Sequence, residues 1–189
     1  MFDSLRGRFL IAGPRLRDPN FFKSVVLIVE HGPDGAMGLV VNHPSSDTVA
    51  NALQEHFDLP ETQELVYVGG PVEPSALFVV HNSAKLDPTE MPVVPGVYMG
   101  SSAEVFQEIL AASLHKDDED LIYRVYGGCA GWGPNQLESE LERGDWLTLD
   151  ADAKYVYADD PYLVWEQLIT KTYKTRRMFP QKCEHPEWN

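Results

Sequence analysis

The chain has only two cysteines, Cys129 and Cys183, far apart in sequence. That is too few for a disulfide framework, and the spacing suits no zinc site. Both read as unpaired thiols of a reducing compartment. Basic residues are also scarce: 15 Lys and Arg stand against 29 Asp and Glu, for a formal net charge of −14. Nucleic-acid backbones bind mainly through Lys and Arg, so the chain as a whole repels them, and direct DNA or RNA binding is not expected. One local exception, Lys171, Lys174, Arg176, Arg177 and Lys182, is diluted by Glu184 and Glu187 and reads as a solvated tail. No apolar run approaches the roughly 20 residues of a membrane helix. The opening MFDSLRGRFLIAGP lacks the long apolar segment of a signal peptide. A cytoplasmic location without membrane association is therefore expected. Several reaction motifs are missing as well: there is no G-x-S-x-G, no H-E-x-x-H and no Walker lysine loop, so no cofactor is implied.

What is present suits one folded unit. At 189 residues, 43% of them apolar, the chain can bury a substantial core without splitting. Arg8–Ala12 reads as a strand. Ser24–Glu30 is a nearly continuous aliphatic run, which fits a strand covered on both faces. His31–Gly35 supplies a turn and Ala36–Asn42 a second strand, so 24–42 is a β-hairpin, with Gly38 marking a bulge or close backbone approach. Asp47 caps a helix to about Phe57. Strands follow at Glu64–Val68, Ala76–His81 and Val93–Met99. Ser101 and Glu104 have capping-box spacing for a helix to about Leu114, with Val105, Ile109 and Leu110 inward. After a strand at Leu121–Tyr126, Gly127–Gly133 reads as a turn. Pro134 then opens a surface helix that Gly144 stops. Trp146–Leu149 and Lys154–Tyr157 read as a hairpin, and Asp160–Pro161 opens a last helix to Tyr173 that buries Leu168. The expected division is one domain, 1–174, with a mobile tail, 175–189.

Two glycine-punctuated blocks dominate, EHGPDGAMGLVVNHP from Glu30 to Pro44 and GGCAGWGPNQLESEL from Gly127 to Leu141. With LIAGPRLRDPNFFKSVV at Leu10–Val26, VGGPV at Val68–Val72, LFVVH at Leu77–His81 and WL at Trp146–Leu147, they resemble the bacterial YqgE/AlgH family. The resemblance runs from Leu10 to about Leu168. It implies an α+β fold, a single compact domain whose bent, partly barrel-like β-sheet is flanked by helices. It implies no reaction. Two positions depart from it: Cys129 stands where similar proteins usually carry Tyr, and Lys23 where they often carry Arg.

Candidate chemistry is thin. Glu30, His31 and His81 lie at strand ends and would make an acid–base or metal-assisted site if they converged, although their spacing is no ligand motif. The same three would carry an enzyme, the alternative to a binding protein. Asn42 suits either a ligand or its own turn amides. Gly69 and Gly70 expose amides fit for an anion or simply make a tight turn. Trp132, between two glycines, suits an interaction anchor or a packed indole, and Gln136 shares a helix face with Glu140. Cys129 has no neighbouring base in sequence to activate it. Since the distinctive residues shape backbone and contacts more than they donate protons, the expectation is a regulatory or binding domain without catalysis. Its partner would be a protein or a small anionic ligand, and no metal is expected.

Overall fold

A computed structural model describes residues 3–54, 64–86, 88, 90–100, 102–115 and 120–178. Among them are nine strands: β1 (Arg8–Ala12), β2 (Val25–Gly32), β3 (Gly35–Val40), β4 (Pro44–Thr48), β5 (Leu65–Val68), β6 (Val72–His81), β7 (Tyr98–Met99), β8 (Tyr123–Trp132) and β9 (Trp146–Asp150). The helices are α1 (Val49–Leu53), α2 (Ala103–His115), α3 (Gln136–Arg143), α4 (Ala153–Val156) and α5 (Val164–Met178). The strands form one mixed sheet in the order β4-β5-β8-β3-β2-β1-β9, with β6 pairing β8 and β7 pairing β6. Only β5 and β8 run parallel. Register shifts fall at Ile28/Glu30, Pro44/Thr48 and Val72/Leu77, where bulges bend a sheet. The path nevertheless ends at β4 and β9, so the sheet is open and not closed into a barrel.

The centre of the sheet is covered on both faces, as the unbroken aliphatic run of β2 requires. Phe9 and Ile11 of β1, with Val25, Leu27 and Val29 of β2, pack with Val156, Val164 and Leu168 from α4 and α5. The alternate residues, Leu10, Ala12, Val26 and Ile28, face Phe21, Trp132, Leu137 and Trp146. A third cluster joins Val49 and Leu53 of α1 and Ile109 and Leu110 of α2 to Val66, Val79 and Val125. Burying each such side chain contributes about 1.5–3 kcal/mol, so no single contact holds the fold.

Gly38 fulfils both expectations. It pairs with Ile28 at the register shift, and a Cβ there would lie 2.6 Å from Val26 Cγ1. Other expectations are corrected. Gly127–Gly133 is no turn: β8 keeps its strand pairing through Trp132, with Gly128 alone at φ 69, because its glycines let another segment lie against its backbone. Lys154–Tyr157 is no strand; Asp152 Oδ1 accepts the Lys154 N–H at 3.1 Å and caps α4, while β9 pairs with β1. Thr48, rather than Asp47, caps α1, its Oγ1 accepting from Asn51 N at 3.2 Å. The expected continuation of that helix to Phe57 lies outside the described residues. Ser102 Oγ accepts the Val105 N–H at the start of α2, and Ser101 lies outside the described residues. Only Tyr98 and Met99 of 93–99 belong to a named strand. The last helix passes Tyr173 to reach Met178; the rest of the tail, with Cys183, is outside the described residues.

Candidate functional site

The three residues of the enzyme alternative do not converge. Glu30 and His31 end β2 opposite Met37 and Ala36. His31 Nδ1 accepts the Leu5 N–H at 2.8 Å, so Nε2 carries the ring proton and donates to Glu138 Oε1 at 2.9 Å. With its side chain 3% exposed, this imidazole ties the N-terminal segment to α3. His81 is fully buried, its ring 5.7 Å from that of Tyr98. Among the described residues no group of His, Cys, Asp and Glu could hold a metal ion.

Asn42 and the paired glycines act on backbone. Asn42, 3% exposed, accepts from Val25 N at 2.8 Å through Oδ1 and donates through Nδ2 to Lys23 O at 2.9 Å. That bond steadies Lys23 at φ 52, where a side chain is strained. Lys23 Nζ lies 5.4 Å over the Trp165 ring, so the lysine supplies a cation over an aromatic face. Gly69 N donates to Gly127 O at 2.8 Å, and a Cβ on Gly69 would lie 2.2 Å from Gly128 O. Gly70, at φ 154, would put one 2.2 Å from Cys129 C. The two glycine motifs are thus the two halves of one backbone crossing.

A Ser–His contact escaped the sequence reading: Ser24 Oγ and His43 Nε2 are 3.5 Å apart. Ser24 is fully buried, so its hydroxyl is no accessible nucleophile. Burial lowers the His43 pKa, opposed by hydrogen bonds to the Lys23 and Phe22 backbone. Burial, and then the Glu73 carboxylate, push the Cys129 thiol up, away from the thiolate a reactive cysteine needs.

The remaining residues gather beside α3. Its N-cap Asn135 has φ 60, and Gly144 at φ 78 ends it. Trp132, 7% exposed, stacks on Phe21 at 6.2 Å and meets Trp146 edge-on at 6.0 Å. Both indoles donate to Glu140 Oε2, at 2.9 Å from Trp132 and 2.8 Å from Trp146. Gln136 Nε2 donates to Glu140 Oε1 at 3.0 Å while its own Oε1 accepts Gly133 N at 3.1 Å. Above this layer opens a cleft of about 520 Å³ lined by Trp132, Gln136, Glu140, Pro71, Arg15, Arg17 and Arg143, with Asp18 and Asp145.

Each carboxylate of the cleft already has donors. Glu140 takes the three just named; Asp18 Oδ1 accepts from Asn20 N at 2.9 Å; Asp145 Oδ2 accepts Arg143 Nε at 2.9 Å and Nη2 at 2.6 Å. Arg15 and Arg17 are exposed and form no ion pair among the described residues. Sequence reasoning missed these arginines. The signal was there, as two arginines in GPRLRD stand out in a chain of net charge −14. Beside the cleft, Glu30, His31 and Trp132 share a shallow hollow of about 570 Å³. A larger cavity, about 970 Å³, has mixed walls, apolar from residues such as Leu77, Phe78 and Phe106 and polar from Arg6, Glu30 and Glu90. His81 reaches none of the three.

Fold and site together define a single α+β unit on an open mixed sheet, with a cleft where the glycine crossing meets α3. A family model described as AlgH-like matches residues 9–175, and the chain belongs to the AlgH-like family. A UPF0301 protein of Thioalkalivibrio sulfidiphilus is 38% identical over 163 residues, covering 84% of each chain. The solution structure of the AlgH protein from Pseudomonas aeruginosa is similar at TM-score 0.72 and 32% identity, over 96% of this chain and 98% of that one. A crystal structure of a Corynebacterium diphtheriae protein is similar at TM-score 0.71 and 25% identity, over 90% and 88%. No described helix is long and apolar enough to cross a membrane.

Proposed function

We propose that this chain is a non-catalytic, cytoplasmic binding domain, regulatory in type, whose ligand is a small anion held in the cleft between the 13–18 loop and α3. One observation supports the reading: among the described residues Arg15 and Arg17 have no acid partner, over a cleft whose carboxylates each already accept hydrogen bonds. Glu30, His31 and His81, which an enzyme would need together, share no cavity. In a chain of net charge −14, a cleft lined by Arg15, Arg17 and Arg143 against Asp18, Glu140 and Asp145 is locally neutral, which makes it less repulsive to an anion than the surface at large. The test is thermal unfolding against a panel of small anions. A ligand at about 100 times its Kd adds about 2.7 kcal/mol, roughly 2–4 °C for a domain of this size. The shift is expected to vanish in R15A/R17A, whose own stability stays within about 0.5 kcal/mol of the parent because both residues are exposed. A shift that survives in the double variant places the ligand elsewhere and overturns the reading.

A further inference from the structure

Independently of what the cleft holds, we infer that His31 is an acid-sensitive clasp: its protonation releases the N-terminal segment 4–6 while the imidazole stays docked on α3. The two ring nitrogens are spent in opposite senses. Nδ1 accepts the Leu5 N–H at 2.8 Å, and a backbone N–H can only donate, so this bond requires a bare Nδ1. Nε2 donates to Glu138 Oε1 at 2.9 Å. A further proton therefore enters at Nδ1, turns the acceptor into a donor and sets two N–H groups face to face. The same proton makes the Glu138 contact a charged pair, which holds the ring more firmly. Glu138 faces the ring from α3, Glu30 adjoins it on β2, and Asp34 and Arg6 line the same hollow. The three carboxylates favour the imidazolium and the guanidinium opposes it. Ser4 Oγ to His31 O at 3.1 Å, Arg8 N to Leu5 O at 3.0 Å and the packing of Leu5 work against release. With the imidazole side chain 3% exposed, however, water reaches the two opposed N–H groups only if the segment lifts. The loosening stops at Gly7, whose N–H donates to Ile28 O at 2.9 Å. Arg6 rides on the released stretch. Its guanidinium donates to Met91 O at 3.1 Å and Pro92 O at 3.0 Å, and Arg6 and Glu30 line both the hollow and the 970 Å³ cavity. Lifting the segment removes a wall the two spaces share, so acid opens the larger cavity toward the hollow.

The experiment is NMR of the isotope-labelled full chain from about pH 8 to about pH 5. The His31 ring signals report its protonation, and the scalar coupling across the N–H···N bond reports the clasp directly. The coupling between Leu5 N and His31 Nδ1 is expected to vanish in step with ring protonation. Backbone order parameters of Leu5 and Arg6 are expected to fall from about 0.85 to below about 0.6, while those of Gly7 and Glu138 hold. In Glu138→Gln the carboxylate no longer favours the imidazolium, so release is expected at a lower pH than in the parent chain. In His31→Phe, which offers no acceptor, segment 4–6 is expected to be mobile at every pH, with the Gly7 amide still protected to show that the fold persists. A ring that protonates while Leu5 and Arg6 stay ordered overturns the clasp. So does a ring that stays neutral until the chain unfolds in acid, or an ordered segment in folded His31→Phe. The parent titration decides the matter even if His31→Phe fails to fold.

Discussion

Gly69 and Gly70 sit against Gly128 and Cys129 with no room for a methyl group, whereas Gly32, in a strand of the same sheet, has nothing within 4 Å of its ideal Cβ. The contrast makes a controlled test. Gly69→Ala is expected to destabilise the fold by about 3 kcal/mol or more, because the neighbouring group is backbone and cannot swing aside. Gly32→Ala is expected to be neutral or stabilising by up to about 1 kcal/mol. Urea unfolding of both variants decides; equal effects would refute the crossing. The motifs were legible in the sequence as special backbone. That they touch one another was not, because a contact between distant segments leaves no local periodicity. His43 was passed over for a related reason: a lone histidine before a proline shows nothing of what buries it. Its pKa lies below the ordinary 6.5, with burial as the main cause. The unfolded chain then binds the proton more readily than the folded one. Stability is full above about pH 6.5 and falls as pH drops from there toward the lowered folded value. The expected result is a shallower loss of Tm between pH 7.5 and 5.5 in His43→Gln than in the parent chain; identical slopes would remove His43 from the account.

Among the elements, α3 ties the molecule together. Leu137 packs it on the sheet, Glu138 binds His31 and Glu140 takes both indoles. Glu140→Ala leaves the two indole N–H donors and the Gln136 amide without their acceptor. The expected loss is about 1–3 kcal/mol, at the low end if water enters the cleft. Glu140→Gln keeps an acceptor oxygen and is expected to lose less. Thermal unfolding separates the two, and equal losses would mean that packing rather than the hydrogen bonds holds α3. Both termini of this helix were nearly right from the sequence, because Gly144 carries its own stop signal. The burial of β2 on two faces was legible from its aliphatic run. β8 and α4 were misread for opposite reasons. Glycines signal turns but also permit strands to lie close, and alternation in Tyr155–Val156–Tyr157 mimicked a strand until Asp152 capped the backbone into a helix.

At the scale of the whole molecule, charge and cleft oppose each other. A net charge of −14 repels anions at long range, so an anion binds only if short-range contacts with Arg15 and Arg17 outweigh that field. The two arginines stand out in the sequence, but the cleft does not, since the 13–18 loop and α3 line it together only in the folded chain. The most direct measurement is amide and indole NMR shift mapping of the full chain titrated with the panel of small anions. Saturable shifts are expected, confined to residues 15–18, Gly131, Gln136 and the indole N–H groups of Trp132 and Trp146. Shifts centred instead on Phe78, Val79 and Phe106 of the larger cavity, or none at all, would contradict the anion-binding reading.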